Sequence, residues 1–167
     1  QVANTPKGKF LALVKSEKVV AQMSASVADN DPSTVRRICA LVMNAAIKSP
    51  ELYNSTHTSV LKVLLDCCAL GIEPNGRDAH VLPYKTKNKS TGEQITIAQL
   101  MLDYKGMVTL AMRSERISTI RAEVVCENDL FSWSDGTIHH EINFFSDRGK
   151  MIGVYAIAKM KDGSMIS

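Results

Sequence analysis

The sequence is poor in aromatic side chains: four Phe, four Tyr and one Trp among 167 residues. Any recognition surface therefore has few rings to spare. Cysteine is also scarce. Cys39, Cys67 and Cys68 fall in runs that read as helix and Cys126 in a run that reads as strand. Adjacent Cys67 and Cys68 would point about 100° apart on a helix, so they pair poorly. A disulfide framework is excluded, and reduced, mostly buried thiols in a cytosolic protein are expected. No stretch approaches the ~20 apolar residues of a membrane span. The N-terminus lacks a basic-then-apolar signal pattern, so export is not expected.

Several enzyme fingerprints are missing as well. There is no Gly-x-x-x-x-Gly-Lys loop, no dinucleotide glycine pattern and no Gly-x-Ser-x-Gly elbow. Internal repeats and low-complexity segments are absent. Apolar residues make up 45% of the chain, too many for a disordered protein. A chain of this length buries roughly two thirds of its unfolded surface without staples, as one domain or one domain with a helical appendage.

What is present is an uneven charge. The net value of +3 hides three regions. Residues 1–76 hold eight Lys/Arg and six Asp/Glu, a balance of +2. Residues 77–121 hold eight and four (+4), and residues 122–167 hold four and seven (−3). The middle segment alone carries more positive charge than the whole chain, which points to an anionic partner.

Periodicity gives the fold class. Asn4-Thr5-Pro6 starts a first helix carrying Phe10, Leu13, Val14, Val20 and Met23, broken at Asp29–Pro32. Asp31 caps a second helix with Pro32 at its first position, and Val35, Ile38, Leu41, Val42 and Ala45 form its apolar face. Ser49-Pro50 stops it. A third helix runs from about Thr58, burying Val60, Leu61, Leu64, Leu65 and Cys68, with Gly71 at its C-terminal cap. After Gly71 the period shortens. Residues 79–87 and 94–102 read as a hairpin, with Pro83 marking an edge or a bulge. A short helix from about Tyr104 to Arg113 follows, then strands at 117–127, 130–134, 138–144 and 150–160. Ile120, Ala122, Val124 and Cys126 are expected to alternate inward, and the last of these strands reads as central. The chain stops inside what reads as another strand, so more sequence is expected to follow naturally. The order predicts an α+β fold: N-terminal helices (1–71), then a hairpin, a helix and a β-meander forming an antiparallel sheet (72–167).

The basic residues fall in two clusters. On a helical wheel for 104–116, Tyr104, Met107, Val108, Leu110, Ala111 and Ser114 share one arc. Lys105, Thr109, Arg113 and Arg116 share the other, giving three cations along about 16 Å. A solvated helix face is the structural alternative. Lys85, Lys87 and Lys89 lie two apart, which places them on one face of a strand. An edge strand protected by lysines is the alternative there. One strand joins the two clusters, and Arg77 and Arg121 flank them, so an anion-binding groove is expected. Tyr84 and Tyr104 lie beside it and are candidates for stacking, though for Tyr104 core packing is the better reading. With so few rings, contact with a sugar-phosphate backbone is favoured over base reading. His139, His140 and Glu141 with Cys126 are weak metal candidates, because neighbours in a strand face opposite ways. His80 is a candidate phosphate contact or a structural histidine.

Three ordered motifs then carry a resemblance. Leu70-Gly-Ile-Glu-Pro-Asn, Ala79-His-Val-Leu-Pro-Tyr-Lys and Leu102-Asp-Tyr-Lys-Gly-Met-Val-Thr-Leu-Ala-Met-Arg-Ser together resemble the RecT family of phage-type single-strand annealing recombination proteins, related in function to Red-beta. The similarity runs from about residue 28 to Gly163. The resemblance implies ATP-independent annealing of complementary single strands, with DNA along a basic groove of a ring or helical filament. It implies no catalytic residues, no required cofactor, magnesium at most as a modulator of DNA binding, a phage exonuclease as partner, and a place in the bacterial cytoplasm. Pro83-Tyr84-Lys85, Tyr104-Lys105-Gly106 and Arg113 match the family pattern. Asp103 and Glu115 stand where the family often has Gly. Arg77, Tyr84, Lys85, Lys87, Tyr104, Lys105, Arg113, Arg116 and Arg121 are thus the expected DNA-binding residues. A single-strand-binding module without annealing, and a metal-dependent nuclease using His139-His140-Glu141, are the alternatives.

Overall fold

The computed structural model describes residues 4–25 and 31–166. Asp29 and Asn30, in the predicted break before Pro32, lie outside the described residues. The chain divides into two compact units, Gln1–Met107 and Val108–Ser167.

The first unit begins with two helices where the spacing predicts one: α1 (Pro6–Val14) and α2 (Glu17–Ser24). Thr5 caps α1 by accepting from the Gly8 amide at 3.0 Å. Ser16 takes an extended conformation (φ −66°, ψ 120°), which ends α1 and opens α2. Serine is a favoured N-cap residue. The break turns Val19, Val20 and Met23 onto the core that Phe10 and Val14 already face. Helix α3 (Pro32–Lys48) starts as predicted. Asp31 accepts from the Ser33 hydroxyl and from the amides of Ser33 and Thr34, and these bonds, the hydroxyl's foremost, lower its carboxyl pKa to about 2. A 3₁₀ turn, Pro50–Asn54, follows and buries Leu52.

Helix α4 (His57–Leu70) is capped by Thr56 and ends on Gly71 in the left-handed region (φ 58°). Its buried stripe is Val60, Val63, Leu64, Cys67 and Cys68. The predicted face is corrected by about 50°, half of one residue's step around the helix: Leu65 is exposed and Leu61 half-buried, while Val63 and Cys67 face inward. An i, i+3, i+4, i+7, i+8 stripe gives closer packing than the adjacent pairs expected. All four cysteines are free and buried. Burial pushes the Cys39 thiol up to about 11 and that of Cys67 to about 12.

The hairpin matches its prediction at both strands, β1 (Ala79–Lys87) and β2 (Gln94–Leu102). They pair antiparallel in unbroken register from Ala79↔Leu102 to Lys87↔Gln94. β1 is an edge, as Pro83 predicted. Ala79, Val81 and Ala98 are buried at the base of the hairpin; Val81 and Ala98 join the helical core, and Leu100 packs against it. The outer edge of β2 is tied to α4: the Thr56 amide donates to the Thr96 carbonyl, and the Ala98 amide donates to Ser59 Oγ at 2.9 Å. Helix α5 (Tyr104–Arg113) then crosses from the first unit into the second.

In the second unit β3 (Ile117–Cys126) pairs with β6 (Met151–Met160), and β7 (Met165–Ile166) adds to β6, so β6 is central as expected. β4 (Leu130–Ser134) and β5 (Thr137–Glu141) form a separate hairpin. The antiparallel α+β class holds, but the expected meander in one sheet is corrected: β3 pairs with β6 rather than with β4, and the strands spread over three small sheets. β5 stops short of residue 144 because Asn143 turns the chain, its side chain accepting from the Phe145 amide. The expected inward face of β3 holds at its ends, where Cys126 is buried and Ile120 half-buried, and is corrected between them: Ala122 and Val124 are exposed, and Val125 is buried. The β4–β5 hairpin sets this choice by packing Phe131 and His140 against Tyr155, on the opposite face of β6 from Val154.

Candidate nucleic-acid interface

Within the first unit, the hairpin places its lysines by simple alternation. Pairing puts Pro83, Lys85 and Lys87 on one face with Ala98, Thr96 and Gln94. That face is buried at the base of the hairpin and open toward its tip, where Lys85 and Lys87 are exposed. Lys89 does not continue the row. It lies in the turn beyond Lys87, closed by hydrogen bonds between Asn88 and both Gly92 and Glu93. Tyr84 faces the other way, beside Leu82 and opposite Ile97, and is 59% exposed. It therefore does not share a face with Lys85 and Lys87.

Arg77 is presented by the turn at 73–78. Asn75 Oδ1 accepts from the amides of Arg77 and Asp78, both at 2.8 Å, and Gly76 supplies a positive φ of 80°. The same turn seats the start of α5. The Asp78 carbonyl accepts from the Asp103 amide at 3.0 Å and lies against Gly106. A Cβ at Gly106 would collide with that carbonyl oxygen, with the carbonyl carbon at 2.9 Å. The glycine in Tyr104-Lys105-Gly106 thus has a local physical reason. Asp103 begins the helix by accepting from the Lys105 amide, and its carboxylate lies 3.7 Å from His80 Nε2. The Asp103 carboxylate is thus engaged locally, at the helix start and beside His80.

Tyr104 is 64% exposed, which overturns its reading as a core residue. Its ring lies 5.6 Å from Lys105 Nζ. The expected buried arc of α5 is corrected with it. Gly106 is the helix's buried residue, Met107 is exposed, and Val108, Leu110 and Ala111 are half-buried. Close seating of the first turn through Gly106 leaves the longer side chains of that turn outside.

In the second unit, Arg113 ends α5. The helix does not reach Arg116, so the predicted run of three cations on one helix is reduced to Lys105 and Arg113. Glu115 is the reason: its φ of 57° is left-handed and stops the helix. This is a position where glycine is easily accommodated and glutamate is strained. Arg116 is exposed beyond it, its carbonyl accepting from the Lys161 amide. Arg121 is exposed on β3, with Nη2 3.3 Å from Glu123 Oε1. All nine expected DNA-binding residues are exposed. Six fall in the first unit and three in the second.

The histidine-rich strand has another role. His139 and Glu141 are exposed, while the His140 side chain is buried and held on both sides. Its Nδ1 lies 3.1 Å from the Tyr155 hydroxyl and its Nε2 3.1 Å from Asp129 Oδ2. Asp129 also accepts from Arg148 Nε and Nη2 and from the Cys126 amide. Arg148 Nη2 donates in turn to the Val124 carbonyl at 2.7 Å. The Arg148 guanidinium foremost holds the Asp129 carboxyl far below the usual carboxylate range. The sequence singles out His140 and Cys126 only as metal candidates, because Asp129, Arg148 and Tyr155 come from separate segments with no spacing that ties them to His140. Among the described residues, no group of three His, Cys, Asp or Glu is placed to hold a metal ion.

Comparison with known proteins agrees with the motifs. The RecT family model matches residues 34–167. Protein RecT of Escherichia coli (strain K12) is 33% identical over 134 residues, covering 78% of this chain and 49% of that protein. The chain thus spans about half the length of this curated relative. A family model over most of the chain and an identity of this extent, on a fold that gives the motif residues their local reasons, establish that the chain belongs to the RecT family.

Proposed function

We propose that this chain binds single-stranded DNA through its phosphates and anneals complementary strands in recombination, without ATP. The observation that carries the reading is the exposure of every Lys and Arg in the family-like motifs, Lys85, Lys105 and Arg113, together with that of Arg77, Lys87, Arg116 and Arg121 outside them. A protein that anneals any sequence must hold the backbone and leave base edges free, and cations among few rings suit that task. Neutralised phosphates lower the repulsion between two strands brought together. Pairing along a length of DNA needs a row of sites, which copies of a small subunit supply by head-to-tail association into a ring or filament. A phage exonuclease that exposes single strands is the partner this activity requires. Magnesium acts at most as a modulator.

Fluorescence-reported pairing of two complementary oligonucleotides tests the reading. Product should form at equal rates with and without ATP in matched magnesium. Strand binding without pairing would instead identify a protective single-strand-binding module. A strict ATP requirement would overturn the assignment.

A further inference from the structure

β3 and β6 carry a second concentration of chemistry inside the 108–167 unit. Register pairs Thr119 with Lys159, Arg121 with Ile157 and Glu123 with Tyr155, so these six side chains share one face. Ile138 and His140 of β5 and Met165 of β7 close it into a cleft of about 410 Å³, within the size range of small-ligand sites.

The cleft combines two kinds of wall. Arg121 and Lys159 are diagonal neighbours across the strand pair, about 7 Å apart at Cβ, and both are exposed. Glu123 is the acidic group of the cleft, 3.3 Å from the Arg121 guanidinium. Arg121, Lys159 and Glu123 together leave a charge of +1, the complement of one phosphodiester. Beside them, Ile138, Ile157 and Tyr155 are half-buried and face the open cleft. This wall is fixed from behind, because the Tyr155 hydroxyl meets His140, which is held by Asp129. A simple anion has no use for the apolar wall, and an apolar peptide has none for the paired cations.

We propose that this cleft is a nucleotide subsite. It takes one unit of a DNA strand, with the phosphodiester on Arg121 and Lys159 and the base or sugar against Ile157, Ile138 and Met165. The inference rests on the single-strand-binding reading and adds Lys159, Thr119 and the β5 wall to it.

Methyl NMR of the full chain, labelled at Ile and Met, reads the site directly. Titration with the dithymidine dinucleotide, which has one phosphodiester, should shift Ile138, Ile157 and Met165 saturably. Thymidine, which has none, should not. Arg121→Ala and Lys159→Ala should each weaken binding about tenfold, as expected for loss of one charge-assisted hydrogen bond. Glu123→Gln should tighten it. Unmoved methyls, or equal shifts with thymidine or with inorganic phosphate alone, would overturn the proposal. A 30-nucleotide strand titrated against Lys85→Ala/Lys87→Ala separates the two readings. If that variant loses affinity while the cleft methyls stay still, the subsite alone falls. If the strand does not bind the unsubstituted chain, the DNA reading falls with it.

Discussion

The two units are held together by different means. The core of the first is continuous and apolar: Phe10, Val35, Leu52, Val60, Leu64 and their neighbours are almost fully buried. In the second unit, Val125 and Cys126 are the buried apolar side chains among the described residues. Val124, Met151, Ile152 and Val154 stand exposed on its sheet. Its centre is instead polar, built on Asp129 with Arg148, His140 and the Cys126 amide. Burial of apolar surface is non-directional and involves no protonation equilibrium, whereas an ionic node depends on protonation. The units should therefore fail under different insults.

The widest contrast is in side-chain truncation. Leu64→Ala should cost about 2–5 kcal/mol by leaving a cavity. Val154→Ala, at a 70% exposed position, should stay within about ±0.5 kcal/mol. Thermal melting of the two variants checks this, and equal losses would erase the distinction between the units.

Gly106→Ala should come next, at about 1–3 kcal/mol for overpacking against the Asp78 carbonyl. Hydrogen exchange should show the damage at the start of α5, with α3 and α4 protected as before.

Acid should separate the units by a smaller and conditional effect. The folded Asp129 carboxyl is depressed, chiefly by Arg148. Its contribution is therefore complete above the ordinary carboxylate value near 4 and is lost as pH falls below it toward the folded value. Amide protection in β3 and β6 should fall in that window before protection in α3 and α4. Asp129→Asn should remove most of this acid sensitivity and lower the protection of β3 and β6 at neutral pH.

The smallest expected change is a gain. Glu115→Gly relieves a left-handed glutamate worth about 1–2 kcal/mol, less the flexibility glycine adds to the unfolded chain. A small rise in melting temperature should result, with slightly tighter DNA binding from the lost negative charge.

The same contrast explains what could be read from the sequence. Local signals were reliable in the first unit: Asp31-Pro32 started α3, Gly71 ended α4, and alternation between turn residues bounded β1 and β2. The break at Ser16 escaped because the apolar spacing continues across it. In the second unit strand positions were legible, but inward faces were not. Ala122 and Val124 look like a buried row until the β4–β5 hairpin is seen to lie on the other side of β6. Among site residues, exposure of the cations followed from charge alone. That Tyr84 opposes Lys85 follows from alternation, whereas the exposure of Tyr104 depends on how Gly106 seats α5. The Arg121–Lys159 cleft needed the β3–β6 register, which no local pattern encodes.

The central claim is that exposed cations hold DNA by its phosphates, and the salt dependence of binding tests it most directly. If about five of Lys85, Lys87, Lys105, Arg113, Arg116 and Arg121 each neutralise one phosphate, log affinity against log salt should fall with a slope of about −3.5. Lys85→Ala/Lys87→Ala should flatten that slope by about 1.4 at an unchanged melting temperature. A slope near zero for the unsubstituted chain, or an unaltered slope in the double variant, would contradict the account.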